Sequence, residues 1–266
     1  DVLLRVMHGV SVFAHRAALK GAHDGEVNAF TPHAWFTTLT NVNFDTTRFN
    51  ALIAKAVTIR SKAHALAERV GADLSDLPEP ATWNPGHSPH DLAEAAPMAS
   101  ILRFMDRDGP SVVGLRDLIL YGLKGTAAYS EHARVLGQEE EAISAEFHRI
   151  AAFLAADPVD VDALVAESLA VGALNFKVME LLDAANTGRF GHPEVTMVRM
   201  SPVKGKAILV SGHDLGDLAA ILHQTEGRGI NVYTNGELLP ANTYPGLKKY
   251  PHLAGNYGGA WQDQQK

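Results

Sequence analysis

KAILVSGHDLGDLAAILHQTEGRGINVYTNGELLPANTYPGLKKYPHLAGNYGGAWQDQQ, residues 206–265, is the stretch whose reading decides the fold. Ala207, Ile208, Leu209 and Val210 form a short, wholly apolar run, which suits a strand buried on both faces of a parallel sheet. Asp214 to Gln224 reads as a helix and Ile230 to Tyr233 as a second strand. A β-α-β unit of this kind crosses over right-handed. Each strand is followed by a residue that can bind a metal, His213 after the first and Glu237 after the second. Neighbouring parallel strands place their C-terminal loops side by side, and ligands collect in that crevice. The two donors are therefore expected to face one cavity. Two strands do not make a stable sheet alone, so the segment reads as the start of a larger α/β domain.

Upstream the period is that of helices. Leu3, Val6, Met7, Val10, Phe13 and Ala17 recur at three- and four-residue steps. Thr31-Pro32 looks like a helix start, a capping threonine followed by proline at the first helical position. A long helix is expected from Thr47, striped by Phe49, Leu52, Ile53, Ala56, Ala63, Leu66 and Val70 and closed by Gly71. Residues 71–97 carry Pro78, Pro80, Pro85, Pro89 and Pro97 among Asp, Ser, Asn and Gly, and read as a long proline-rich connection. Three further helices follow, the first capped by Ser111, the second opened by Glu139, Glu140 and Glu141, the third capped by Asp160 and ended by Gly188. Consecutive antiparallel helices on short connections make a bundle. The expected fold class is α + α/β: an N-terminal helical bundle domain over 1–194, then the start of a Rossmann-like parallel α/β domain over 195–266.

Composition narrows the function classes. Hydrophobic residues are 46% of the 266, enough for a packed core, and the net charge of −7 argues against a general nucleic-acid or acidic-membrane binder. No apolar run approaches the roughly 18 residues of a membrane-spanning helix. There is no cysteine, which excludes disulfides, thiolate zinc sites and thiolate iron–sulfur clusters built from this chain alone. The thirteen histidines are scattered and form no H-E-x-x-H pair.

His213 and Glu237 are the main candidates for chemistry, because imidazole and carboxylate suit iron, zinc or manganese. Taken singly, His213 reads first as a residue beside a helix N-cap, and Glu237 as a solvated loop carboxylate or a helix N-terminal charge. Their equivalent places after two strands single them out. Ser211-Gly212-His213-Asp214 lacks both G-x-G-x-x-G and the Walker lysine, so nucleotide binding is not expected there. Glu131-His132 and Gly191-His192-Pro193 show no partner at ligand spacing and read as structural. Thr38-Leu39-Thr40-Asn41-Val42-Asn43-Phe44 reads as a helix end whose polar side chains serve the backbone. Gly255 to Trp261 reads as a turn, or as backbone that approaches a cofactor closely.

The strings FTTLTNVNFD, LYGLKGTAAYSEHARVLGQ, NFKVMELLDAANTGRFGHP, SGHDLGDL, NVYTNGELLPANTYP and HLAGNYGGAWQDQQ carry a resemblance that runs in order from residue 1 to residue 266. The chain resembles the hybrid cluster proteins, also called prismane proteins or hydroxylamine reductases. The resemblance implies a helical domain followed by two α/β domains. It also implies two metal centres. One is a 4Fe–4S or 2Fe–2S cluster held by cysteines near the N-terminus. The other is a hybrid Fe–S–O cluster bound by a histidine, two glutamates and several cysteines. His213 in SGHDL and Glu237 in NGELLP match the first two hybrid-cluster ligands. The remaining hybrid-cluster ligands are expected beyond Lys266 and the cysteines of the other cluster just before Asp1, so that this chain would be an excerpt holding no complete cluster. The implied activity is reduction of hydroxylamine to ammonia and of nitric oxide to nitrous oxide. The implied partners are a small nitrogen-containing substrate and a redox protein as electron donor, with no nucleic acid and no membrane, in the cytoplasm. The alternative is a cluster-less helical scaffold or interaction fragment without catalytic activity.

Overall fold

The computed structural model describes residues 1–39, 42–86, 88–100, 102–260 and 262. Its helices are α1 (Val2–Ala18), α2 (Gly25–Phe36), α3 (Thr46–Arg69), α4 (Glu79–Thr82), α5 (Pro89–Ala99), α6 (Met105–Val135), α7 (Glu141–Ala155) and α8 (Val161–Phe190). There follow β1 (Lys206–Ser211), α9 (Leu215–Thr225), β2 (Ile230–Asn235), a 3-10 stretch (Gly236–Thr243), α10 (Pro245–Lys248) and β3 (Leu253–Asn256). The chain divides into two compact units, Asp1–Arg134 with Glu139–Leu181, and Val135–Gln138 with Leu182–Lys266. The architecture is a helical domain followed by the opening of a parallel α/β domain.

In the helical unit α1 is the central element. The sequence shows an apolar stripe, yet burial extends around the helix to Leu4, Arg5, Ser11 and Val12. A helix apolar on all sides belongs inside others, and α2, α3, α4, α5 and α7 pack on it. Gly9 permits the closest approach: an added Cβ would lie 2.2 Å from the Pro80 carbonyl oxygen and 2.9 Å from Arg60 Cδ. Buried Arg5 is compensated in part: Nη2 pairs with Glu79 of α4 and the Trp83 ring lies 5.4 Å from the guanidinium carbon, while Nε and Nη1 find no protein partner. Trp35, fully buried, stands edge-on to His8 and Phe147 at ring-centroid distances of 5.3 and 5.2 Å.

Several boundaries depart from the sequence reading, each because a stronger local group wins. α2 begins six residues before Thr31, since the Asp24 carboxylate accepts hydrogen bonds from the N–H groups of Glu26 and Val27. Pro32 therefore sits inside the helix, and the Thr31 hydroxyl donates to the Val27 carbonyl at 2.8 Å. Asp45 caps α3, and Gly71 closes it at φ 65 with Gly71 N–H on Glu68 and Ala72 N–H on Ala67, a Schellman arrangement. The connection expected over 71–97 contains α4 and most of α5. Ser88 and Asp91 form a reciprocal capping box, and Pro89 takes the first helical position. In α6 the break is Gly109, at φ 79 and ψ 165, followed by Pro110, so Ser111 lies within the helix rather than capping it. Gly188 is likewise helical, and α8 ends at Phe190 before Gly191, at φ 84.

The sheet order is β1-β2-β3, all parallel, with β2 in the centre. Phe190, Leu218, Leu222, Val232, Leu238, Ala241 and Leu247 form its core. β1 is an edge strand with Leu209 55% exposed, so its apolar run is not buried on both faces as expected. β3 takes in Gly255 and Asn256, the first two residues of the expected turn, while 257–260 carry no helix or strand. Gly255 makes it possible, because a Cβ there would lie 2.1 Å from the Arg199 carbonyl oxygen, which accepts the Asn256 N–H at 2.9 Å. Trp261 lies outside the described residues.

Substituting Gly9→Ala should cost about 1–3 kcal/mol despite the better helix propensity of alanine. Gly122→Ala should cost less, because its methyl meets the tip of the Val171 side chain, Cγ1 at 2.6 Å, rather than a backbone oxygen. Thermal melts compare the two, and a stabilising Gly9→Ala would remove the close-approach argument.

Two histidines inside the same unit make a pH prediction. His148 Nδ1 lies 3.0 Å from Ser11 Oγ, and burial lowers its pKa from 6.5 to about 3. Burial lowers His8 to about 3 as well, with repulsion from Arg103 and Arg5 added. The folded state keeps both neutral where the unfolded chain protonates them. The unfolded state thus holds more protons between about pH 3 and 6.5, and stability rises with pH across that window. It should be intact above pH 6.5 and decline toward pH 3. Within that window His148→Gln should lower the slope by about 1.4 kcal/mol per pH unit. Urea melts at stepped pH measure it, and an unchanged slope would show that His148 does not contribute.

Candidate functional site

The C-terminal ends of β1 and β2 are level because their register pairs Ser211 with Asn235. Each paired residue is followed by a glycine at positive φ, Gly212 at 145 and Gly236 at 59, and then by a donor. That conformation is open to glycine and strained for other residues, so both chains can turn off the sheet after the same step. The result brings His213 and Glu237 together: Nδ1 of the imidazole lies 3.7 Å from Oε2 of the carboxylate. The two side chains are 43% and 62% exposed. Metal bonds to such donors are about 2.0–2.2 Å long, so the spacing suits two donors on one ion or on adjacent ions.

Asp214, the next residue, is committed elsewhere. Its Oδ1 accepts the N–H groups of Gly216 and Asp217 at 2.6 and 3.1 Å and caps α9. A carboxylate thus occupies the helix N-terminus where a phosphate would sit in a nucleotide site.

A buried polar layer lies at the same end of the sheet. Thr234, Asn235, Asn242 and Asn256 are each at most 5% exposed. Asn242 Nδ2 donates to Thr234 Oγ1 and Thr234 Oγ1 to Asn256 Oδ1, both at 2.9 Å, which ties the 3-10 stretch and β3 to β2. Ser211 Oγ donates to Asn235 Oδ1 at 3.2 Å, and Asn235 Nδ2 donates to the Tyr257 carbonyl at 2.8 Å. Thr234, Asn235 and Asn242 do not stand out in the sequence. The available signal was a repeated pattern: Ser211-Gly212-His213, Asn235-Gly236-Glu237 and Tyr257-Gly258-Gly259 each follow or end a strand.

Glu131, His132 and the Thr38 stretch have partners within the helical unit. Glu131 contacts His33 Nδ1 at 3.2 Å and Arg134 Nε at 2.7 Å, partners within the helical unit. His132 stacks edge-on against Phe36 at 5.3 Å. Gly191 serves the end of α8. Thr37 and Thr38 donate to the carbonyls of Ala34 and Trp35, as a helix end requires, while Thr40 and Asn41 lie outside the described residues. A cavity of about 670 Å³ in the helical unit is bordered by Arg16 and Arg149. Both guanidinium groups are engaged, Arg16 with the carbonyls of Asp73 and Ser75, and Arg149 with Glu146 and Glu167.

Among the described residues no group of three or more His, Cys, Asp or Glu is placed to hold a metal ion. The chain has no cysteine. Two harder donors do not by themselves hold sulfide-bridged irons, which need thiolates. The residues present fit a metal cluster as part of a donor set and not as a whole one. Among the described residues no helix is long and apolar enough to cross a membrane.

The sequence model of the Prismane/CO dehydrogenase family matches residues 1–266. The chain is 51% identical over 270 aligned residues to a protein of Acidithiobacillus ferrooxidans named hydroxylamine reductase, covering all of this chain and 48% of that relative. Proteins of the same name from Burkholderia lata and Burkholderia ambifaria are 51% identical over 269 residues, again with all of this chain and 48% of each relative covered. The chain spans about half the length of the curated relatives it matches.

The 266-residue chain by itself should assemble no iron–sulfur cluster, because it offers no thiolate. Anaerobic reconstitution with iron and sulfide, followed by metal analysis, tests this. A brown product with stoichiometric iron and sulfide would contradict it.

Proposed function

The chain belongs to the Prismane/CO dehydrogenase family, and on that premise we propose that it is the helical unit and the first strands of an α/β unit of an iron–sulfur oxidoreductase that reduces hydroxylamine to ammonia. In this reading His213 and Glu237 are two of the protein donors to a hybrid Fe–S–O cluster. The observation that carries it is their meeting, 3.7 Å apart, at matched positions after two parallel strands. The 51% identity to proteins named hydroxylamine reductase supports the reaction class. The remaining donors, thiolates above all, must come from elsewhere in the full-length protein, as must the 4Fe–4S or 2Fe–2S cluster of the reading.

When bound, such a cluster supplies electrons and iron that can take a small nitrogen ligand. The chain's own residues contribute position and charge. Gly212 and Gly236 turn both donors off the sheet, and Glu237 brings an anionic oxygen donor suited to iron with oxygen bridges. Asp214 Oδ1 serves the N-terminus of α9. Nitric oxide as a second substrate, a redox protein as electron donor and a cytoplasmic location belong to the same proposal. A helical scaffold without chemistry remains the competing reading. It accounts for the missing cysteines and leaves the level placement of the two donors unexplained.

In the full-length protein, Glu237→Gln and His213→Ala should leave helical content intact. They should lower hydroxylamine-dependent oxidation of a reduced viologen by about 10–100-fold, the usual cost of disturbing a metal's ligand environment, and remove or alter the hybrid cluster's share of the iron while the other cluster stays. Wild-type iron content, spectra and turnover in both variants would defeat the ligand assignment.

A further inference from the structure

We infer that Asn235 is a positioning residue for the His213–Glu237 pair: its buried amide ties together the C-terminal ends of all three strands and so fixes the take-off of both donor loops. The inference rests on the reading of that pair as metal donors.

The geometry is specific. Asn235 is the last residue of central β2, is 4% exposed, and stands opposite Ser211 in the register. Its amide is used at both ends. The carbonyl oxygen accepts from Ser211 Oγ at the end of β1, and the NH2 group donates to the Tyr257 carbonyl just past β3. The Tyr257 N–H returns to the Thr234 carbonyl at 2.9 Å, so the chain leaving β3 is held at two points. Gly258 leaves room for the amide. A Cβ there would stand 2.9 Å from Asn235 Nδ2, and the φ of 82 suits glycine.

A buried amide that fails to find partners carries a large desolvation cost, so a group like this holds its neighbours in one arrangement. The neighbours are the residues that launch the donors. Ser211 is two residues before His213, and Asn235 two before Glu237, each with one glycine between. Such glycines let the chain turn but do not fix where it goes, because glycine has the widest backbone freedom. An anchor immediately before each glycine fixes the point and direction from which each turn starts. The aspartate isostere cannot replace it. A carboxylate would still accept from Ser211 but would set an oxygen against the Tyr257 carbonyl.

The test uses the full-length protein with Asn235→Ala, Asn235→Asp, Ser211→Ala and Ser211→Thr, and with Glu237→Gln and His213→Ala as references. Two readouts are taken. The first is amide hydrogen exchange at 212–214 and 236–238, compared with the strand interiors at 207–210 and 231–233. The second is iron per chain with its electron paramagnetic resonance spectrum. Both Asn235 variants should speed exchange in the two loops about tenfold, leave the strand interiors unchanged, and lower or shift the metal signal as Glu237→Gln does. Ser211→Ala should give a smaller loss, and Ser211→Thr, which keeps the hydroxyl, should restore wild-type behaviour. The serine pair keeps the question open to measurement if the Asn235 variants fail to fold. Wild-type loop exchange and metal signal in Asn235→Ala and Ser211→Ala, beside altered metal in Glu237→Gln, would overturn the inference and leave the ligand reading standing. Exchange that rises equally through the strands would assign Asn235 to sheet stability instead. Unchanged metal in both reference variants would overturn the ligand reading and this inference with it.

Discussion

Everything at the sheet depends on the parallel pairing of Ser211 with Asn235. In a parallel pair both strands run out at the same edge, so the loops leaving them start level with one another. An antiparallel pair would carry His213 and Glu237 to opposite ends. A register slip of one residue would turn the side chains of one strand to the other face of the sheet. Once the register is set, the two glycines and the capping of α9 by Asp214 leave few places for the imidazole and the carboxylate to go. Their meeting is therefore a consequence of backbone pairing more than of attraction between them. Both side chains are well exposed, and a contact between exposed polar groups contributes at most about 1 kcal/mol.

The helical unit is organised by a different constraint. Its central helix α1 is buried around most of its circumference, and a buried helix must either be wholly apolar or carry compensated polar groups. Both solutions appear along its length. Gly9 lets the Pro80 backbone close in, while Arg5 is held by Glu79 and Trp83. Ser11 receives His148, whose burial keeps the imidazole neutral. These contacts join residues on α1 to elements well along the chain, α4 and α7, so they fix the packing of the unit rather than any one helix.

Legibility in the sequence followed the range of the interactions involved. The helices from Leu3 and Thr47, and the strand-helix-strand order from Ala207, were readable because periodicity is local. So was the pairing of His213 with Glu237, because parallel topology converts two local patterns into one spatial statement. Helix ends were harder, since neighbouring groups compete. Asp24 outranks Thr31 as a cap, Gly109 with Pro110 outranks Ser111, and Gly191 outranks Gly188. The strand Leu253–Asn256 was hidden by a glycine that looks like a turn and is there for the close passage of Arg199. The roles of Thr234, Asn235, Asn242 and Asn256 were invisible. Nothing in an asparagine's sequence neighbourhood says that its amide will be buried between three strands.

Polarity is distributed unevenly at this edge, and that distribution bears on function. The buried layer of Thr234, Asn235, Asn242 and Asn256 uses hydrogen bonds where a hydrophobic residue would pack at lower desolvation cost. The exposed pair at the same end, His213 and Glu237, gains little stability from its own contact. Stability alone explains neither choice well. A buried polar network is worth its cost when it imposes one arrangement out of several of similar energy. Here the arrangement imposed is the position of two loops whose tips carry an imidazole and a carboxylate. A fixed polar network at the strand ends from which both loops leave is what the proposed reading of His213 and Glu237 as metal donors calls for.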